Sequence, residues 1–211
     1  MKHSLKIKVC GLLHPENIEG VCALEPDFVG YIFYPGSKRY VGKKPDPAIF
    51  GIPAESTLKV GVFVNEEISK VEQIFSLCRL DMVQLHGEES PHYCETMQDM
   101  GIPVIKALSP DSIAEGATPE AYKKGVDYLL IDTPGETYGG TGRKFDWELL
   151  DESFIPNPFL LSGGIGPEDG AAIRKLHFEG LFGIDLNSRF ELSPGLKDVN
   201  LLEEFMREIR K

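Results

Sequence analysis

A chain of 211 residues can bury one sizeable core and is short for two, so a single domain spanning residues 1–211 is expected. Its 33 acidic against 22 basic residues leave a formal charge of −11, which opposes nonspecific attraction to nucleic acid or an anionic membrane. No apolar run reaches the length of a membrane span, no signal-peptide pattern opens the chain, and the four widely spaced cysteines form no CxxC pair; a cytoplasmic, reduced protein is expected.

Apolar runs of strand length then recur along the chain. Leu5–Val9 comes first and is followed by an amphipathic segment, Pro15–Ala23. Phe28–Phe33 is the second run; Lys59–Val64 is the third, with Glu67–Cys78 behind it. Met82–Leu85 precedes the helical pattern Pro91–Met100, and Val104–Ala107 precedes a weak one, Ser109–Gly125, broken by Gly116 and Pro119. Tyr128–Ile131, Phe159–Leu161 with Pro167–Lys175, and Leu181–Ile184 with Val199–Ile209 complete the series. The strands are near-continuous in hydrophobicity, as expected of parallel strands covered on both faces. Eight such alternations without a break in composition predict an α/β fold, a single-domain (β/α)8 TIM barrel. An open doubly wound sheet is the structural alternative, but no GxGxxG follows the first strand.

In a barrel of this kind the chemistry sits at the C-terminal ends of the strands. Two of those ends are glycine-bearing and lie close in sequence: Leu161-Ser162-Gly163-Gly164 and Ile184-Asp185-Leu186-Asn187-Ser188. Small residues at such ends present bare backbone N–H groups, which is what a phosphate dianion needs, and in barrels the loops after strands seven and eight commonly build such a site. Cys10 ends the first strand and is followed by Gly11; a thiol there becomes a usable base if a cation or polar donors stabilise its thiolate, and is otherwise a buried structural cysteine. Asp132, directly after three large aliphatic residues, stands between apolar wall and open mouth, where partial burial favours the protonated form that a general acid needs. The glycine-rich stretch Tyr138–Gly142 reads as a loop able to close over a ligand. Arg39 could grip a carboxylate with two parallel hydrogen bonds. Gln84 and His86 end the fourth strand, where His86 either orients a substrate or bonds within the rim; without an HxH pattern a metal role is poor. A base, an acid and a phosphate cup on one rim point to proton transfer on a sugar phosphate.

At these residues the chain resembles the phosphoribosylanthranilate isomerases of tryptophan biosynthesis. The resemblance runs over nearly the whole chain, through Lys8-Val9-Cys10-Gly11, Phe33-Tyr34-Pro35, Arg39-Tyr40, Val60–Asn65 and Val83-Gln84-Leu85-His86-Gly87-Glu88. It continues in Leu130-Ile131-Asp132-Thr133, Gly139–Gly142 with Phe145-Asp146-Trp147, Leu161–Gly164, Asp185 with Ser188, and Pro194-Gly195 with Lys197-Asp198. It implies an Amadori rearrangement that needs no cofactor, on one small-molecule substrate; no metal is expected, and with no exposed apolar patch identifiable in the sequence a monomer is expected. It further implies Asp132 as general acid, Cys10 as general base and Arg39 as the anthranilate-carboxylate anchor. Backbone groups around Gly163, Gly164, Asn187 and Ser188 would hold the phosphate, with Gln84, His86 and Asp185 also in the substrate site. Two positions depart from the family pattern: Arg189 stands where a glycine is expected, and Asn187 replaces a more usual serine. A side chain at 189 crowds the phosphate loop if the backbone there needs positive φ, or else adds a cation.

The related histidine-pathway isomerase is the nearest enzymatic alternative, but it carries an aspartate where this chain has Cys10. Indole-glycerol-phosphate synthase relies on a lysine–glutamate apparatus that Lys106 alone does not recreate. A non-catalytic sugar-phosphate-binding barrel is the alternative from another class, and it has no need of a cysteine base.

Overall fold

The computed structural model describes residues 5–109, 118–132, 147 and 155–211. The glycine-rich stretch Tyr138–Gly142, its neighbours Phe145 and Asp146, and residues 110–117 of the weak helical pattern after the fifth strand lie outside the described residues.

Eight parallel strands close into a barrel in sequence order: β1 (Lys6–Cys10), β2 (Phe28–Ile32), β3 (Leu58–Phe63), β4 (Met82–Leu85), β5 (Val104–Leu108), β6 (Tyr128–Asp132), β7 (Phe159–Ser162) and β8 (Leu181–Leu186). Closure is made by β8 against β1, with Lys8 opposite Asp185. This is the TIM barrel that the continuous apolar runs predict.

Successive side chains of a strand point to opposite faces, and this sorts the core into two parts. Outward residues such as Val9, Val29, Tyr31, Leu85, Ile131 and Leu161 pack with the surrounding helices in one large cluster. Inward residues Phe28, Val60, Met82, Ile105, Leu130 and Leu160 fill the interior, where the rings of Phe28, Tyr128 and Phe182 meet with centroids 4.5–6.4 Å apart. Continuing the same alternation by one step towards the C-terminal end brings Cys10, Gln84, Asp132 and Ser162 onto the inner face. The period that builds the core thus also aims the polar residues.

The covering helices are α1 (Pro15–Cys22), α2 (Ile68–Leu77), α3 (Pro91–Asp99), α4 (Gly170–Ile173) and α5 (Val199–Ile209). Proline at the first turn of α1 and α3 starts each helix where its missing N–H costs nothing. Ser90 caps α3 by accepting from Tyr93 N, and Asp198 caps α5 by accepting from Leu201 N. Helix α5 buries Leu202, Phe205, Met206 and Ile209 on one stripe; truncating Leu202 to Ala there costs about 2–5 kcal/mol.

The connection after β2, for which the sequence offers no amphipathic segment, holds a 3-10 turn, Pro47–Gly51, with proline at its first position. Two departures from the sequence pattern have local causes. The single helix expected over Pro167–Lys175 divides into a 3-10 turn, Pro167–Asp169, and the four-residue α4, with Asp169 turned back to accept from Gly166 N. Finally, β9 (Glu191–Ser193) and β10 (Leu196–Lys197) form a hairpin after β8 that no apolar run announces. Its signal is Pro194-Gly195, where Gly195 takes φ +85°.

Candidate active site

A cavity of about 570 Å3 opens at the C-terminal ends of the strands. Cys10, Arg39, Gln84, His86 and Asp132 line it, as do Gly163, Gly164, Asp185, Asn187 and Ser188, so every site residue singled out in the sequence faces one space. Ile32, Val62 and Ile165 add apolar wall.

Cys10 ends β1 and is buried. Its sulfur occupies room left by a glycine: a Cβ at Gly30 on the neighbouring strand would lie 2.6 Å from Cys10 Sγ. Any larger residue at 30 displaces the sulfur. Burial pushes the Cys10 thiol pKa up, while the Lys8 ammonium pulls it back through its charge. Asp185 adds to the rise and Lys197 opposes it. The net direction is upward, so at rest the thiol form is favoured.

Asp132 ends β6 with its side chain 37% exposed, the half-open position its sequence context predicts. His86 Nε2 lies 3.3 Å from Asp132 Oδ2, and Gln84 Nε2 lies 2.8 Å from His86 Nδ1. With the Gln84 amide donating to Nδ1, the imidazole carries its hydrogen on Nε2 and donates it to Asp132. Gln84, His86 and Asp132 therefore form a chain along the rim. The acceptor of the amide, Gln84 Oε1, is buried with no hydrogen-bond partner among the described residues.

Arg39 is held from the hairpin. Its Nε donates to Glu191 Oε1 at 2.8 Å and its Nη2 to Glu191 Oε2 at 2.5 Å. Glu191 also accepts from Lys197 Nζ at 2.8 Å and from Gly195 N at 3.0 Å. Burial works against the Glu191 carboxylate, yet the hydrogen bond from Arg39 and the charge of Lys197 outweigh it and hold its pKa below the ordinary value. The guanidinium thus reaches the cavity with one edge already fixed by a carboxylate.

At the expected phosphate end, Gly163 and Gly164 take φ +87° and +68°, left-handed conformations that favour glycine and turn the chain sharply after β7. Asn187 Oδ1 accepts from Lys197 Nζ at 2.8 Å. Arg189 lies in a 3-10 turn, Ser188–Phe190, and is absent from the positive-φ residues. The condition for crowding, a positive φ at 189, is therefore not met. Arg189 instead donates to Glu168 Oε1 at 2.9 Å, bridging the loops after β7 and β8.

Sequence reasoning assigned no role to Lys8, Glu191 or Lys197. A charged residue inside an apolar strand was the available signal for Lys8; the other two depend on the hairpin. Lys106, by contrast, belongs to the outer layer: it pairs with Glu89 at 3.0 Å and lies near Tyr122, behind the barrel wall. It supplies nothing to the cavity. No cluster able to hold a metal ion occurs among the described residues, and no helix among them is long and apolar enough to cross a membrane.

Comparison with known proteins agrees with this geometry. The family model described as N-(5'phosphoribosyl)anthranilate (PRA) isomerase matches residues 7–208. An N-(5'-phosphoribosyl)anthranilate isomerase of Parabacteroides distasonis is 45% identical over 204 residues, covering 96% of this chain and 92% of that protein. One from Phocaeicola vulgatus is 37% identical, covering 97% and 98%. Among solved structures, the Thermotoga maritima phosphoribosyl anthranilate isomerase superposes with a TM-score of 0.82 at 32% identity, over 97% of this chain and 98% of that one. Another phosphoribosyl anthranilate isomerase, solved in complex with reduced 1-(o-carboxyphenylamino)-1-deoxyribulose 5-phosphate, does so at 0.81 and 30%, with the same coverage. The chain belongs to the N-(5'-phosphoribosyl)anthranilate isomerase family, enzymes of tryptophan biosynthesis.

Proposed function

We propose that this chain converts N-(5-phosphoribosyl)anthranilate to 1-(2-carboxyphenylamino)-1-deoxyribulose 5-phosphate, with Asp132 as general acid and Cys10 as general base. The observation that carries the assignment is their placement. They end β1 and β6, non-adjacent strands of the barrel, and line a single cavity with the glycine turn of β7 and the end of β8.

In the first step protonated Asp132 gives its proton to the furanose ring oxygen as the C1–O bond breaks. The nitrogen lone pair forms the protonated C1=N Schiff base. The Cys10 thiolate then takes the C2 proton; the C2–H electrons become the C1=C2 bond and the imine π pair returns to nitrogen. Tautomerisation of this enolamine moves a proton from the C2 hydroxyl to C1 and leaves the ketone. The reactive state is restored when Cys10 gives up one proton, returning to the thiolate, and Asp132 takes one.

Binding is assigned to the two ends of the substrate. Arg39, with one edge on Glu191, offers its remaining N–H groups to the anthranilate carboxylate. Backbone groups of Gly163 and Gly164, with Asn187 and Ser188, take the phosphate. Anchoring both ends converts a mobile ribose into a positioned one, where such orientation contributes several kcal/mol to the barrier reduction. His86, fixed by Gln84, holds the Asp132 carboxyl towards the ribose. The four cysteines are all free, which fits the cytoplasmic setting proposed here.

The test is turnover of freshly prepared phosphoribosylanthranilate, followed by loss of its fluorescence, in wild type, Cys10→Ala and Asp132→Asn. Both variants are expected to lose at least about 100-fold in kcat while still binding substrate. Turnover by Cys10→Ala within a few-fold of wild type would remove Cys10 as the base. A wild type that binds substrate without converting it would leave a sugar-phosphate binder.

A further inference from the structure

The proposed base lies where burial suppresses its ionisation, so something must stabilise the thiolate. The candidate lies two residues back. Lys8 and Cys10 are at i and i+2 on β1 and so face the same interior. The Lys8 side chain is 0% exposed and Asp185 6%, and Lys8 Nζ donates to Asp185 Oδ1 at 2.9 Å. Directly opposite in register, the two strands bring this pair together at the barrel seam. The inward layer beside it is apolar, with Phe28, Leu130 and Leu160.

A buried ammonium and carboxylate are weak evidence for added stability, since desolvation consumes most of their attraction. Well-packed apolar residues would fill the same space at no such cost. What apolar residues cannot supply is a cation beside Cys10. Of the three Lys8 N–H groups one is directed to Asp185, and the ammonium, on the same face of β1 as Cys10, acts on the thiol through its charge. Asp185 compensates the ammonium while the thiol is protonated, and the thiolate shares it once the proton has left. Burial works against the charged form of Lys8, but Asp185 and Cys10 outweigh it and hold its pKa above the ordinary lysine value. Lys8 therefore remains a cation throughout.

We propose that Lys8 is a positioning residue for the isomerisation: its buried ammonium, anchored by Asp185, is the counter-ion of the Cys10 thiolate. This rests on Cys10 being the base. The thiol loses its proton to solvent through the open cavity before substrate binds, and no bond to Lys8 forms or breaks. The charged groups facing Cys10 are Lys8 on its own strand, Asp185 on β8, Lys197 on the hairpin and Arg39 after β2. Lys8 has the largest charge effect among those acting on the thiol, ahead of Asp185. Removing both charges together should therefore disfavour the thiolate.

The experiment measures iodoacetamide alkylation of Cys10 across pH, resolved from Cys22, Cys78 and Cys94 by peptide mass, in wild type and in Lys8→Met/Asp185→Asn. The double variant leaves no lone buried charge; circular dichroism and Tm verify its fold. The alkylation midpoint is expected to rise by about one unit or more, an order of magnitude or so in rate at neutral pH. The acid limb of kcat/KM should move with it, and Lys8→Arg with Asp185 intact should recover the wild-type midpoint. An unchanged midpoint in the folded double variant overturns the proposal. Alkylation reads the thiol whether or not it is catalytic, so failure of Cys10 as the base appears separately, as retained turnover in Cys10→Ala.

Discussion

Two lysines are fully buried within strands of this barrel and each is paired with a carboxylate, yet they differ in what surrounds the pair. Lys106, on the outer face of β5, spends its ammonium on three fixed acceptors: Leu85 O at 3.1 Å, Gly87 O at 2.7 Å and Glu89 Oε2 at 3.0 Å. Glu89 in turn accepts from Asn65 N and Gly87 N. Every hydrogen-bond acceptor belongs to the backbone or to this carboxylate, and the result is a brace that ties the loops after β3 and β4 to β5. Lys8, on the inner face of β1, has one carboxylate and a titratable thiol. The same chemistry of burial thus fastens loops in one place and tunes a reactive atom in the other; what separates them is whether the last partner can change its charge.

The contrast is broken most forcefully from the outer side. Lys106→Met strands Glu89 in a buried position and is expected to cost about 3–5 kcal/mol in urea denaturation, with kcat per folded molecule within about threefold of wild type. A tenfold fall in kcat at full folding would show that the brace also positions His86, which sits in the loop it fastens, and the division between the two lysines would disappear.

A second, smaller effect is expected at the rim. Arg39→Ala removes both the bonds to Glu191 and the proposed carboxylate anchor, raising KM by about 10–100-fold, as for loss of a charge-assisted hydrogen bond worth 1.5–3 kcal/mol. Glu191→Gln keeps the guanidinium but loosens it, so its KM should rise less. Equal effects of the two would make Arg39 a structural partner of the hairpin, closer in kind to Lys106 than to Lys8.

The smallest effect belongs to Arg189. Its bridge to Glu168 is exposed on both sides, and such pairs contribute about 0–1 kcal/mol. Arg189→Ala should change KM by no more than about fivefold at physiological salt. A larger rise that fades with added salt would show the guanidinium acting on the phosphate itself, making it a second functional cation at the mouth.

How much of this was legible in the sequence follows from the same two faces. The strands were, because parallel strands buried on both sides read as continuous apolar runs, and their ends named the cavity: Cys10, Asp132 and the Gly163-Gly164 turn lie where strand C-termini must place them. The partners of those residues were not. Glu191 meets Arg39 across 152 positions of chain, through a hairpin whose only sequence mark is Pro194-Gly195. Gly30 looks like an ordinary strand glycine until the position of Cys10 Sγ shows what its missing side chain makes room for. Pairing across the barrel is a property of closure, and local patterns do not encode it.

Closure has a further consequence for how the chain comes to be folded. Lys8 is synthesised well before its partner, and finds Asp185 only 177 positions later. Until the eighth strand arrives, an ammonium on the first strand has no carboxylate with which to enter an apolar interior, so fragments ending before residue 181 cannot seal the barrel with β1 in its native place. The seam between β1 and β8 thus acts as a check on barrel closure: the pair assigned to the proposed base assembles only once the chain has been synthesised through β8.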